Sequence, residues 1–180
     1  HYYLRKFTAC LVPDYEQPKM GGRLSDKGAL KHVKYIGNLS RFEFQKAPPI
    51  TYDLLVLLSG PEPQRSILEH NLLSELEGSD LKSLIVRGKP LENNPQSIQG
   101  NSQLLDHLNA SELQHAILSS RIVICRAGYS SIMDLIKLRK HAILIPTPGQ
   151  TEQEYLGMYL MLHKWFISFN QQATSLNNML

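Results

Sequence analysis

A chain of 180 residues that is 42% hydrophobic and 19% charged carries enough apolar side chains for one full domain core and a fragment besides. Nineteen basic residues against 16 acidic ones leave a net charge of +3, too small and too scattered for a nucleic-acid surface, with no block of like charges. No apolar run approaches the roughly 18 residues of a membrane span, and no secretory leader is recognisable.

The two cysteines, Cys10 and Cys125, lie far apart inside apolar runs and form no metal-ligand spacing. They read as buried reduced thiols, which places the expectation in a reducing, cytoplasmic compartment. The seven histidines form no His-Glu-x-x-His or comparable cluster, so no metal site is expected. The chain begins with His1 rather than Met, and the expectation is a fragment that starts mid-protein.

In chain order, Phe7 to Val12 reads as a strand closed by Pro13-Asp14. Glu16 to Gly28, rich in Gly, Pro and Lys and without periodicity, reads as a connector, and Val33 to Ile36 as a short strand stopped by Gly37. Ala47-Pro48-Pro49 marks the entry to a main domain. The division expected is therefore 1–50 for the end of a preceding domain and its connector, 51–170 for the main domain, and 171–180 for a polar tail.

Beyond residue 50 two kinds of segment alternate. Leu54 to Leu58, Leu84 to Val86, Ile122 to Ile124 and Ala142 to Ile145 are continuous apolar runs, with a shorter one at Gln103 to Leu105. Runs without alternation predict strands buried on both faces, as in a parallel sheet. Between them the spacing predicts helices over Gln64–Glu77 (Ile67, Leu68, Leu72, Leu73, Leu76, then Gly78), Ser111–Leu118 behind an Asn109 cap region, a helix opened by Ser130 or Ser131, and Glu152–His163. Strand and helix in alternation predict an α/β, doubly wound parallel sheet.

Ligands of such sheets bind at the carboxyl ends of the strands. After the first main-domain strand, Ser59-Gly60 offers a tight turn leading to a helix start, although Pro61 and Pro63 remove N–H donors and an ordinary strand-to-helix loop is the competing account. Arg126-Ala127-Gly128-Tyr129-Ser130-Ser131 is the most informative stretch. Gly128 admits close backbone approach, and Ser130 and Ser131 add hydroxyls to the helix-start amides, together a diphosphate cradle. Asp134 follows one turn on and suits a ribose diol; a serine cap with a first-turn acid explains the same residues equally well.

Gln150, Gln153 and Glu154 converge at the next helix start, either for sugar hydroxyls or as a solvated, self-capping first turn. Arg87 ends a strand where it meets a phosphate or simply the surface, and Leu108-Asn109-Ala110 lies where backbone groups read a flat base or merely cap a helix.

At these residues the sequence resembles the C-terminal domain of glycosyltransferase family 28, a family whose members include transferases of N-acetylglucosamine. The resemblance covers Leu104–Gly157 most closely. It rests on Arg126-Ala127-Gly128 with the serines and Asp134, then Pro146 with Gln150 to Tyr155. It implies one Rossmann-like half of a GT-B architecture, holding a UDP-sugar donor without a metal or cofactor and inverting the sugar. On the same ground Gly128, Ser130 and Ser131 would face the diphosphate, Asp134 the ribose in place of the family's glutamate, and Leu108, Asn109 and Ala110 the uracil. Gln153 would contact the donor sugar, while Glu154 replaces a second glutamine and Pro-Glu-Pro departs from the family's glycine-rich first loop. The acceptor and the catalytic base would belong to an amino-terminal domain outside this chain, the membrane would be met only through the acceptor, and the fragment would be inactive alone. A UDP-sugar epimerase or hydrolase on the same scaffold, with Glu154 and Glu62 as its candidate acids, and one subunit of a split transferase are the alternatives.

Overall fold

The continuous apolar runs form a seven-stranded sheet because each must be covered on two sides. The computed structural model describes residues 6–90, 92, 97–173 and 175–179. Its strands are β1 (Cys10–Val12), β2 (Val33–Tyr35), β3 (Tyr52–Leu57), β4 (Ser83–Val86), β5 (Ser97–Gln99), β6 (Ser102–Leu105), β7 (Ser120–Cys125), β8 (Ile143–Leu144) and β9 (Ile167–Ser168). Its helices are α1 (Gln64–Leu76), α2 (Ala110–Leu118), α3 (Tyr129–Lys137), α4 (Thr151–Leu162) and α5 (Leu176–Met179). The large sheet runs β5-β6-β4-β3-β7-β8-β9, and every pairing except the β5–β6 hairpin is parallel.

Successive residues of a strand point to opposite faces. Leu54 and Val56 accordingly join Ile85, Ile124, Ile143 and Ile145 under Leu68, Leu72 and Leu76 of α1 and Leu176 and Met179 of α5. Leu55, with Leu84, Val86, Val123, Cys125 and Leu144, lies under Ile117 of α2, Ile132 and Leu135 of α3, and Leu156 and Leu160 of α4. Helices on both faces of a parallel sheet make the doubly wound α/β fold read from the sequence.

Several details differ from the sequence reading. Ile67, placed on the inner stripe of α1, is 42% exposed, while Arg65 and Glu69 are buried. The first strand is only Cys10–Val12 and pairs in parallel with β2 in a separate two-stranded sheet. The stretch Glu16–Gly28 is no featureless connector. It winds around the fully buried Asp14 carboxylate, which accepts from the amides of Tyr15, Met20 and Gly21 and from Ser25 Oγ, and it includes a 3₁₀ turn at Gly22–Ser25.

The stretch 171–180 is no loose tail either, since Gln171, Leu176 and Met179 are buried. Its Thr174 and Leu180, like His1–Arg5 at the other end, lie outside the described residues. No helix among the described residues is long and apolar enough to cross a membrane.

Candidate functional site

Strand order places the site. β4 and β6 lie on one side of β3, β7, β8 and β9 on the other, so the order in which strands are added reverses between β3 and β7. In open α/β sheets the loops leaving two such strands diverge, and ligands bind in the crevice between them at the carboxyl edge. Ser59-Gly60 follows β3, Arg126 to Gly128 follows β7, and Pro146 to Gln150 follows β8.

Gly128 is the N-cap of α3, and no side chain caps the helix. A Cβ built at Gly128 would meet only Ser131 Oγ, at 3.9 Å, so the approach to the first-turn amides is bare on that side. The hydroxyls of Ser130 and Ser131 have no hydrogen-bond partner among the described residues. Gln150, the N-cap of α4, likewise makes no side-chain cap, whereas α2 and α1 are closed by side chains. Asn109 closes α2 in a capping box, accepting from Glu112 N at 3.0 Å while its own amide donates to Glu112 Oε2 at 2.9 Å. Glu62 closes α1, accepting from the amide and hydroxyl of Ser66 and pairing with Arg65, and these contacts hold its carboxyl below the usual range. Free amides and the positive end of a helix favour negative charge at such a terminus.

Ser59 and Gly60 are exposed at the same edge, with Gly60 at φ 95, a conformation that favours glycine. Gln150, Gln153 and Glu154 do converge on the loop ahead of α4, but they close that loop on itself. Gln153 Oε1 accepts from Thr147 N at 3.0 Å, Gln153 Nε2 donates to Gln150 Oε1, and Glu154 Oε1 accepts from Gly149 N at 2.9 Å. Leu108, Asn109 and Ala110 lie at the start of α2 beyond β6, with the Asn109 side chain consumed by its cap.

Three expected positions are corrected. Arg126 is 1% exposed and faces inward. Its Nη1 donates to Gln171 Oε1 at 2.6 Å and to the carbonyls of Ile145 and Pro146, and its Nη2 to the carbonyl of Gln64 at 2.8 Å. None of these partners is a carboxylate, and burial lowers its pKa to about 10. Arg126 thus ties β7 to β8, α1 and the turn at Gln171, with no carboxylate partner among the described residues.

Arg87 does not reach toward a ligand, because Glu69 Oε1 at 2.8 Å and Asp106 Oδ1 at 3.1 Å both hold it, and Arg65 extends the same network through Glu69. Asp134, expected in the open, has its carboxylate only 9% exposed. Ser40 Oγ donates to Oδ1 at 2.6 Å and Arg41 Nε to Oδ2 at 3.0 Å, while Asn38 Nδ2 donates to the carbonyl of the preceding Met133. Residues 38–42, pinned by Phe42 at 1% exposure, thus cover the carboxylate that the sequence reading offers to a ribose.

Sequence reasoning passed over Ser40, Arg41 and Thr147. The first two carry no local signal, since their partner lies about ninety residues later. Thr147 lies next to Pro146 with nothing in its neighbours to single it out, and only its depth does so, for it is 1% exposed and its hydroxyl has no partner among the described residues.

Comparison with known proteins agrees with this architecture. A solved structure described as the glycotransferase of kitacinnamycin superposes with a TM-score of 0.65 at 12% identity, over 95% of this chain and 44% of that one. At that identity the likeness is one of fold, and the chain spans less than half the length of its structural relative. No curated protein matches at a significant level. The model of the glycosyltransferase family 28 C-terminal domain matches residues 64–173, from the start of α1 to the turn that holds Arg126. That match takes in more than half of the chain and two of the three loops, leaving out Ser59-Gly60, and the chain therefore belongs to the glycosyltransferase family 28 C-terminal domain family.

Proposed function

We propose that this chain is the donor half of a UDP-sugar glycosyltransferase, with acceptor binding and the catalytic base supplied from across a cleft by a separate amino-terminal domain. The observation that carries the reading is the uncapped α3 terminus at the strand-order reversal, with Gly128 bare on its approach side.

When an acceptor hydroxyl attacks the anomeric carbon, the bond to the diphosphate breaks and negative charge collects on the departing phosphate. Amides at Tyr129, Ser130 and Ser131, oriented before the reaction, stabilise that charge where it develops, and the two serine hydroxyls add donors. Arg126 contributes a fixed positive field without touching the ligand. Charge neutralisation of this kind asks nothing of a metal, and single displacement inverts the sugar. Leu108 to Ala110 border the base, and Gln150, Gln153 and Glu154 the sugar. Asp134 reaches a ribose only by exchanging Ser40 and Arg41 for it. Proton transfer belongs to the opposite side of the cleft. The free thiols Cys10 and Cys125 fit a reducing, cytoplasmic setting, with the membrane met only through the acceptor.

An epimerase or hydrolase needs a free acid or base in the crevice. Its two candidates are otherwise engaged, Glu154 by Gly149 N and Glu62 by Ser66 and Arg65. The test is calorimetric titration of the chain with UDP, UMP, GDP and inorganic phosphate, with and without EDTA. UDP is expected to bind in preference to the others and equally in EDTA. Failure to bind UDP, or binding that EDTA abolishes, overturns the proposal.

A further inference from the structure

Two buried donors near the carboxyl end of β8 have nothing to donate to. Thr147 Oγ1 and Arg126 Nε are both shielded from solvent and both without a hydrogen-bond partner. They belong to one wall, because the Arg126 guanidinium grips the carbonyls of Ile145 and Pro146, the two residues that lead into Thr147. Buried polar atoms are paired in nearly all folded proteins, so an unmet buried donor such as Thr147 Oγ1 marks a position meant for an acceptor.

The space in front of Thr147 has a definite shape. A Cβ built on Gly60 would lie 3.5 Å from Thr147 Oγ1 and within 4 Å of no other atom beyond its chain neighbours. Glycine leaves that volume empty, and its φ of 95 disfavours any residue that would fill it. A small acceptor entering over the Gly60 Cα meets one hydroxyl. A threonine hydroxyl has a single proton to give, which suits an oxygen that brings none of its own, such as that of an ionised phosphate.

Resting on the donor-site reading above, we infer that Thr147 is a binding residue for the diphosphate, donating its hydroxyl proton to an oxygen of the sugar-side phosphate that lodges over Gly60. Position along the sheet selects that phosphate. β3 and β7 carry the cradle, β8 is the next strand outward, and the loop after it leads to Gln150, Gln153 and Glu154. Thr147 therefore stands between the cradle and the sugar end. The Ser59-Gly60 loop, exposed and free of side-chain bulk at Gly60, shifts outward to admit the oxygen.

Calorimetric titration of the whole chain with UDP and UMP tests this, using Thr147→Val, which keeps the shape and loses the hydroxyl, and Thr147→Ser, which keeps the hydroxyl. Thr147→Val is expected to weaken UDP by about tenfold or more while changing UMP by no more than about twofold, the size of one hydrogen bond to a charged group. Thr147→Ser is expected to stay within about threefold of the unaltered chain for UDP. Equal losses for UDP and UMP in Thr147→Val, or an unchanged UDP affinity, overturn the inference and leave the donor site standing. Absence of UDP binding by the unaltered chain removes the donor-site reading, and this inference with it.

Discussion

Arg41 sets its Nε 3.0 Å from Asp134 Oδ2, joining the connector to the second turn of α3 across 93 residues of sequence. Ser40 takes the other carboxylate oxygen, and its own Oγ accepts from Phe42 N at 3.0 Å, so three consecutive connector residues are fixed by one acid. Asp134→Ala leaves Ser40 and Arg41 without their acceptor and should cost about 1–2 kcal/mol in urea unfolding. Arg41→Ala should cost less than about 1 kcal/mol, because its side chain is 58% exposed and solvent screens the pair. Amide exchange at residues 38–42 should quicken markedly in Asp134→Ala and only slightly in Arg41→Ala.

Arg126 behaves as a structural cation. Arg126→Met removes the charge and strands the carbonyls of Gln64, Ile145 and Pro146 and the Gln171 amide oxygen in the interior. A loss of about 3 kcal/mol or more in unfolding free energy is expected, far above that of a surface arginine. A change below about 1 kcal/mol would contradict the packing described.

Arg87 gives the opposite contrast between stability and binding. Removing it takes one cation from Glu69, which keeps Arg65, and one from Asp106, with side chains 10% and 7% exposed. Arg87→Ala should cost about 2 kcal/mol yet leave UDP affinity within about twofold, checked by urea unfolding beside calorimetry. A selective loss of UDP binding would return Arg87 to the phosphate.

Burial pushes the Cys125 thiol up to about 12, from an ordinary value of 9.0. Below pH 9 both folded and unfolded thiols keep their proton and pH has no effect through this group. Above it the unfolded thiol ionises first, so the unfolded state binds fewer protons and stability falls by up to about 1.4 kcal/mol per pH unit until pH 12. Cys125→Ala should show a shallower decline over that interval in unfolding measured against pH. A thiol reagent should label Cys10, which is partly exposed, in the native chain and Cys125 only after unfolding.

The parts of the molecule legible from sequence are those whose cause is local. Leu54 to Leu58 reads as a doubly covered strand because five apolar residues in succession leave no polar face, and Asn109 reads as a cap because Glu112 lies three residues on. β9 escapes such reading. It is two residues long, and only its parallel register with Ile143 and Leu144 makes it a strand. Asp134 and Arg126 were located correctly on their elements and given the wrong neighbours. Helical spacing puts Asp134 beneath Ser130, but nothing within a turn of it foretells Ser40 or Arg41. Arg126 has the composition of a phosphate ligand, and its inward course depends on carbonyls that three separate segments bring together. At the α3 terminus the sequence reading rests on backbone amides, and the structure leaves that terminus without a side-chain cap.

Three tyrosines fasten the segment before the connector to the main domain, and each of them addresses main chain. Tyr129 donates to the Pro13 carbonyl, Tyr159 to the Lys19 carbonyl, and Tyr155 accepts from the Arg23 amide. Every residue carries the same peptide group, so this docking reads the path of the loop and is blind to most of its side chains. Outside Asp14, Gly21 and Gly22, which shape the turn themselves, substitutions along 13–23 leave this grip intact so long as the loop keeps its course, and the phenol hydroxyls bear the burden of holding it.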